Sequence, residues 1–332
     1  MKHEATIRPI GCLAGRPCQG GPVTRRCLHV VTLAAMGAVL ALGGTVQAAA
    51  LLEDGFATGS GDYTAGAVLV GQTGTPETGS YGGAWAGHGS GAQYGEAQVF
   101  GTGLSYTDGA GNTLQASGGG IRMQRSSTGG PYQKDAYVDP NGTPPSVDSV
   151  YFSGILDLGG AGNGWLGVRV GPTSSKDVIG VGVNSSGHAQ IRQNGGVSAT
   201  SAGTFDVSAP VFLVGRIQAD GAGGSNDLVY LYLNPLLPSE PVAADLTHDV
   251  GTRGWYHGQS LEVLQLSAMV SSGAAPTFFD EFRIGSSWAD VTAHTVQTTI
   301  PEPATMAALA LAVTGLGGYV RKRHVPSGPK RA

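Results

Sequence analysis

Between residues 150 and 284 the chain repeats one pattern. A run of five to nine residues carries apolar side chains at alternate places and then stops at glycine, asparagine, aspartate or proline. Residues 150–158, 165–170, 178–183, 189–193, 210–218, 228–233, 261–266 and 278–284 all read this way, which is the period of a strand with one face turned to a core. Turn sequences such as Gly159-Gly160-Ala161-Gly162-Asn163-Gly164 and Asn194-Gly195-Gly196 separate most of them. No helical period intervenes. The predicted class is therefore all-β, an antiparallel two-sheet β-sandwich. The stretch 59–130 is rich in Gly, Ser and Thr and reads as short strands around Val68, 97–100 and 121–124 joined by irregular loops.

Glycine supports the same class, at 56 of 332 residues against a usual share of about 7%. Charge divides unevenly along the chain. Residues 51–300 hold nine Lys and Arg against twenty-one Asp and Glu, a net charge of −12, whereas both ends are basic and bring the whole chain to −4. That sign argues against a nucleic-acid partner.

The ends read as targeting segments. Arg25 and Arg26 precede an apolar stretch over 28–42, followed by Gly43-Gly44 and Val46-Gln47-Ala48-Ala49-Ala50, the three-part pattern of a secretory signal peptide over 1–50 with signal peptidase expected to cut after Ala48 or Ala50. All three cysteines, Cys12, Cys18 and Cys27, fall before that cut, so the mature protein is expected to lack disulfides, thiol catalysis and thiolate metal sites. At the other end, Pro301-Glu302-Pro303 precedes an uncharged run over 304–320 and then Arg321-Lys322-Arg323-His324. As a helix the run is roughly 26 Å long, at the short end for a bilayer span, and Gly315, Gly317 and Gly318 weaken it. The basic cluster is expected to stay cytoplasmic and to hold the folded part on the far side.

This order over 296–332 resembles the PEP-CTERM sorting signal of Gram-negative bacteria. The resemblance implies an exosortase that cuts at or near the tripeptide, a transient inner-membrane intermediate, and a mature protein at the cell surface or in the extracellular matrix with exopolysaccharide as a partner. An ordinary tail anchor is the alternative. A second resemblance lies in Val150-Tyr151-Phe152-Ser153, Phe212-Leu213-Val214-Gly215-Arg216-Ile217, Leu228-Val229-Tyr230-Leu231-Tyr232-Leu233-Asn234-Pro235 and Phe279-Asp280-Glu281-Phe282-Arg283-Ile284-Gly285, with Ser287-Trp288-Ala289-Asp290-Val291 behind it. It is similar to bacterial laminin-G-like, concanavalin-type jelly rolls, which implies that a first strand over 51–56 lies near the last, in a domain over 51–295.

Chemistry is sparser. Retaining glycoside hydrolysis needs two carboxylates about 5 Å apart, and the Glu-x-Asp-x-x-Glu strand of the jelly-roll glucanases is missing. Asp280 and Glu281 are adjacent and so are expected on opposite faces of a strand, with Phe278, Asp280, Phe282 and Ile284 toward the core and Glu281 and Arg283 paired in solvent. The histidines show no metal-ligand spacing. The chain is therefore expected not to be an enzyme but to have a structural or adhesive role, with a lectin-like carbohydrate-binding module as the alternative. Asp280 is expected either to meet calcium together with Asp54 or to accept backbone N–H bonds from a turn. Asp108-Gly109-Ala110-Gly111-Asn112 reads as half a calcium loop or as an ordinary turn. Trp255 and Tyr256, in a glycine-bounded loop, are the candidate sugar-stacking pair.

Overall fold

The structure is a computed structural model and describes residues 50–295 apart from 59–61, 88–96, 117, 125–131, 139–148, 160–163, 172–177, 194–195, 219–226, 252–262 and 271–274. Ala48, the sorting tripeptide, the 304–320 span, the basic tail, Trp255 and Tyr256 lie outside the described residues, and Ala50 is the first residue inside them.

Eight described strands form one sheet: β1 (Leu52–Asp54), β3 (Ala97–Phe100), β5 (Gly120–Met123), β7 (Ser149–Asp157), β12 (Val211–Gln218), β13 (Leu228–Leu233), β14 (Leu246–Asp249) and β16 (Thr277–Gly285). They run in the order β14-β13-β12-β7-β16-β5-β3, with β1 paired to β16. Seven form the other: β2 (Ala86–Gly87), β6 (Tyr132–Val138), β8 (Trp165–Gly171), β9 (Ile179–Asn184), β10 (Ala189–Gln193), β11 (Gly196–Thr200) and β15 (Val263–Val270), in the order β11-β10-β9-β8-β15-β6-β2. β4 (Thr113–Leu114) pairs with β17 (His294–Thr295) as a small separate ladder. Every pair among the named strands is antiparallel, as the period-two runs require, and β1 lies beside the last long strand as the jelly-roll resemblance implies.

The two sheets differ in what their sequences send outward. In β12 the run Val211-Phe212-Leu213-Val214 is apolar at every place, so the strand is buried on both faces. Val211, Leu213 and Ile217 enter the core between the sheets, while Phe212 and Val214 join Ile155, Tyr232, Leu237 and Trp288 in a second apolar layer on the far side. The helix α1 (Trp288–Val291) helps cover that layer, started by a capping box in which Ser287 accepts from the Asp290 backbone N–H and Asp290 answers the cap. In the seven-stranded sheet the apolar places are Leu166, Val168, Val170, Val181, Val183 and Ile191, all in the core. The alternating places include Trp165 but are otherwise mostly glycine, arginine, glutamine and serine, so the other face of this sheet is largely polar.

β16 departs from the single alternation read over 278–284. Asp280 pairs with Ile155 but Arg283 pairs with Ser153, so one extra residue sits between them, and Glu281 takes the left-handed conformation at φ 50°. The bulge reverses the phase: Phe279 points to the core before it, Phe282 and Ile284 after it. Asp280 thus shares the outer side with Ile155, not the core side with Phe282. The Glu281–Arg283 pair forms at 3.2 Å, but buried at 1% and 0% exposure instead of in solvent.

Candidate ligand-binding face

Strand register sets out the polar face as rows. Gln265, Arg169, Gly180 and Arg192 lie side by side across β15, β8, β9 and β10, and Ser267, Gly167, Gly182 and Gln190 form the next row. β6 continues both, with Tyr137 opposite Gln265 and Asp135 opposite Ser267 along the backbone.

Trp165 stands in the row beyond and folds back over the glycines. A Cβ on Gly167 would lie 2.5 Å from the indole Cζ2, and one on Gly182 would lie 2.9 Å from Cε2, so the ring needs bare backbone beneath it. The Arg169 stem crosses Gly180 in the same way, 2.8 Å from where a Cβ would sit. The two guanidiniums are at 5.1 Å (Arg169) and 4.6 Å (Arg192) from the indole centroid, within cation–π range. The ring therefore supports and orients two cations; its faces are already taken. Arg192 also reaches Gln190 Oε1 at 3.1–3.2 Å.

The face is enclosed, with Trp165 at 0%, Arg169 at 5% and Arg192 at 8% exposure. Burial holds the Arg192 pKa below its ordinary value, and the charge of Arg169 lowers it further. The indole Nε1–H has no hydrogen-bond partner although it is buried. A buried donor left unmade costs about 1–3 kcal/mol. The polar groups on this face are two guanidiniums, the indole N–H, the amides of Gln190 and Gln265 and the Ser267 hydroxyl.

The residues singled out by sequence fall elsewhere. Asp54 is buried on the core side of β1 opposite Phe282, while Asp280 is on the outer side, so the bulge keeps them from sharing one face. Asp54 accepts from the Phe56 N–H at 2.7 Å, from the Tyr63 hydroxyl at 2.5 Å and from the Tyr81 hydroxyl, and Tyr63 in turn accepts from the Trp85 indole at 2.9 Å. Asp280 accepts from the backbone N–H of Leu104 at 2.5 Å and of Glu281 at 2.8 Å. All four carboxylate oxygens thus hold protein donors, which a cation would have to displace. Burial pushes Asp54 up to about 6 against the lowering effect of these bonds. Burial, then the nearby Glu281 charge, pushes Asp280 up to about 9. Asp108 accepts from the Ala110, Asn112 and Leu237 backbone N–H groups, a turn that also ties down the 235–245 loop. No group of three His, Cys, Asp or Glu suited to a metal occurs among the described residues. A cavity of about 550 Å³ beside β4 and β17 contains Glu53, whose carboxylate is already held by Arg283 at 2.9 Å.

Sequence reasoning took 165–170 as a strand with one face turned to the core and passed over the residues of its other face. The signal was present in Trp165-Leu166-Gly167-Val168-Arg169-Val170 and Gly180-Val181-Gly182, where glycine and arginine share one parity and the aliphatics the other.

No protein-family model and no curated protein sequence matches the chain. Among solved structures it is similar in fold to a glycosyl hydrolase family protein from Mycobacterium fortuitum (12% identity over 71% of this chain and 100% of that one, TM-score 0.38). It is also similar to an endo-β-1,4-glucuronan lyase from Trichoderma reesei (11%, 60% and 91%, TM-score 0.37) and to a lectin from Bauhinia forficata bound to GalNAc (9%, 57% and 100%, TM-score 0.32). The expectation that the chain is not an enzyme is corrected by these matches. Hydrolases and lyases stand among the structures of like fold, so that exclusion is withdrawn.

Proposed function

We propose that the protein is an exported polysaccharide-binding protein of the cell surface or extracellular matrix. Signal peptidase removes its first fifty or so residues, and an exosortase processes it at Pro301-Glu302-Pro303 after a passage through the inner membrane. Exopolysaccharide is its partner, and adhesion within the matrix is its role. One observation carries the binding reading: the unpartnered indole N–H of Trp165, held on a glycine floor among arginine, glutamine and serine on the outer face of a sheet. Sugars present dense acceptors to such a set of donors, and burial makes each bond worth more than in water. Nucleic acid is a poor match for a domain of net charge −12 over residues 51–300.

A glycan array read with the full-length protein tests this, with Trp165→Phe, which removes the indole N–H and keeps most of the buried volume, alongside and each bound glycan also assayed for cleavage products. Binding that disappears in the variant while its unfolding temperature stays within a few degrees of the parent supports the proposal. Binding unchanged in that variant, or no binding at all, overturns it.

A further inference from the structure

We infer that the outer side of the eight-stranded sheet carries a stacking site for neutral pyranose units, built on Phe100 and Phe278. The site is a second sugar contact, on the other sheet from Trp165, and it rests on the polysaccharide reading above for the class of its ligand.

The starting point is an aromatic pair that serves neither described core. Phe100 is the last residue of β3 and Phe278 the second of β16, and each has the parity opposite to its core-facing neighbour, Val99 or Phe279. The rings pack edge to face with centroids 5.2 Å apart. Both are half-buried, and neither belongs to the core between the sheets or to the second apolar layer beside α1. Phe100 lies across bare backbone, since a Cβ on Gly120 would come within 2.6 Å of its ring atoms Cε1 and Cζ. Aromatic area on a strand surface, outside the packed layers and flanked by a few polar groups, is the composition of a ligand-binding surface.

Strand register supplies those polar groups. Gln98, Arg122, Phe278 and Asp157 lie side by side across β3, β5, β16 and β7, so Phe278 has a guanidinium on one side and a carboxylate on the other. All four residues are half-buried. Arg122 donates to Gln124 Oε1, and one Asp157 oxygen accepts the Gly159 N–H at 2.8 Å, contacts that orient both groups. A sugar hydroxyl both donates and accepts, so hydroxyls at the rim of one pyranose can meet a guanidinium N–H and a carboxylate oxygen while its C–H face covers the rings. Arg122 and Asp157 cancel in charge, and the carboxylate opposes an anionic unit, which is why the ligand assigned is neutral.

The test measures binding of the full-length protein to hexasaccharides of a β-1,4-glucan and of a β-1,4-galactan, with hexagalacturonate as the acidic comparison, each at low and high salt. Binding to at least one neutral hexasaccharide, unaffected by salt and tighter than to hexagalacturonate, is the expected result. Phe100→Leu and Phe278→Leu, which remove a ring and keep an apolar side chain, should each weaken it about three- to tenfold while the unfolding temperature stays within a few degrees of the parent. Arg122→Gln, which leaves both rings in place, should act in the same direction. The same losses should appear in a Trp165→Phe background, because the two contacts lie on different sheets. Neutral binding unchanged in all three variants overturns the inference, and whether Trp165→Phe weakens that binding then decides the polysaccharide reading separately. Hexagalacturonate bound more tightly than both neutral sugars overturns the inference and leaves the polysaccharide reading standing. Failure to bind any of the three overturns both.

Discussion

Arg283→Met is the perturbation most informative about what closes this sandwich. Arg283 is 0% exposed, and its guanidinium donates to Glu53 Oε1 from Nε at 3.0 Å, to Glu281 Oε2 at 3.2 Å, to the Ala293 carbonyl at 3.2 Å and to the Gln115 carbonyl. One side chain thus joins β1, the bulge of β16, the segment after β4 and the chain leaving α1. Methionine keeps most of the volume and removes the charge. Glu53 is about a quarter exposed, and loss of its bond should cost under about 1 kcal/mol. Glu281 is 1% exposed, and removing the cation that faces it should cost about 3–5 kcal/mol. At about 2–4 °C per kcal/mol for a domain of this size, the unfolding temperature should fall by roughly 6–20 °C. Thermal and urea unfolding of the full-length protein, followed by circular dichroism, measure it. Adding Glu281→Gln removes the stranded charge, so the double variant should recover at least about half of the loss. A single-variant cost below about 1 kcal/mol, or a double variant no better than the single, would refute this account of the cluster.

Asp280 and Asp54 set a pH dependence of unusual sign. Both folded values, about 9 and about 6, lie above the ordinary 3.8, so the native state keeps protons that the unfolded chain releases. Stability should be complete below about pH 4 as far as these groups are concerned, fall to about 6 through both, and continue falling to about 9 through Asp280 alone; Asp280→Asn should abolish the upper part of that decline in urea titrations run across the range. Gly182→Ala should cost about 1–3 kcal/mol or more, because its Cβ would lie 2.2 Å from the Leu166 carbonyl, whereas Gly180→Ala meets only the flexible Arg169 stem and should cost under about 1 kcal/mol. Mass spectrometry of surface protein from the native host should find a C-terminus near residues 300–303, and Pro301→Ala with Glu302→Ala should leave an uncut membrane-associated form.

Strands with strong alternation were legible from sequence because nothing competes with the period-two pattern there: 189–193 and 228–233 are β10 and β13 as read, and 165–170 is β8 short of its last glycine. The capping-box spacing Ser287-x-x-Asp290 could have announced α1. The bulge could not be read, because Glu281 stands where a left-handed position ordinarily selects glycine, and its carboxylate meets the buried Arg283 only in the folded chain. The Asp54 network was hidden for a similar reason. Its donors, Tyr63, Tyr81 and Trp85, sit in a glycine-rich region without periodicity, and tertiary packing alone brings them together. The polar face was half legible. Its alternation was visible in Gly167 and Arg169 against Leu166, Val168 and Val170, but the run was read only for its core-facing side.

The central claim is that a ligand meets the indole N–H of Trp165. The indole resonances of the ¹⁵N-labelled full-length protein report it directly, since Trp85 and Trp288 already donate, to Tyr63 and to the Leu237 carbonyl, and Trp165→Phe assigns the resonance in question. On titration with an oligosaccharide of a polymer shown to bind, the Trp165 resonance should move downfield as it gains an acceptor while those of Trp85 and Trp288 stay in place. A saturating titration that leaves the Trp165 resonance unmoved would contradict the account.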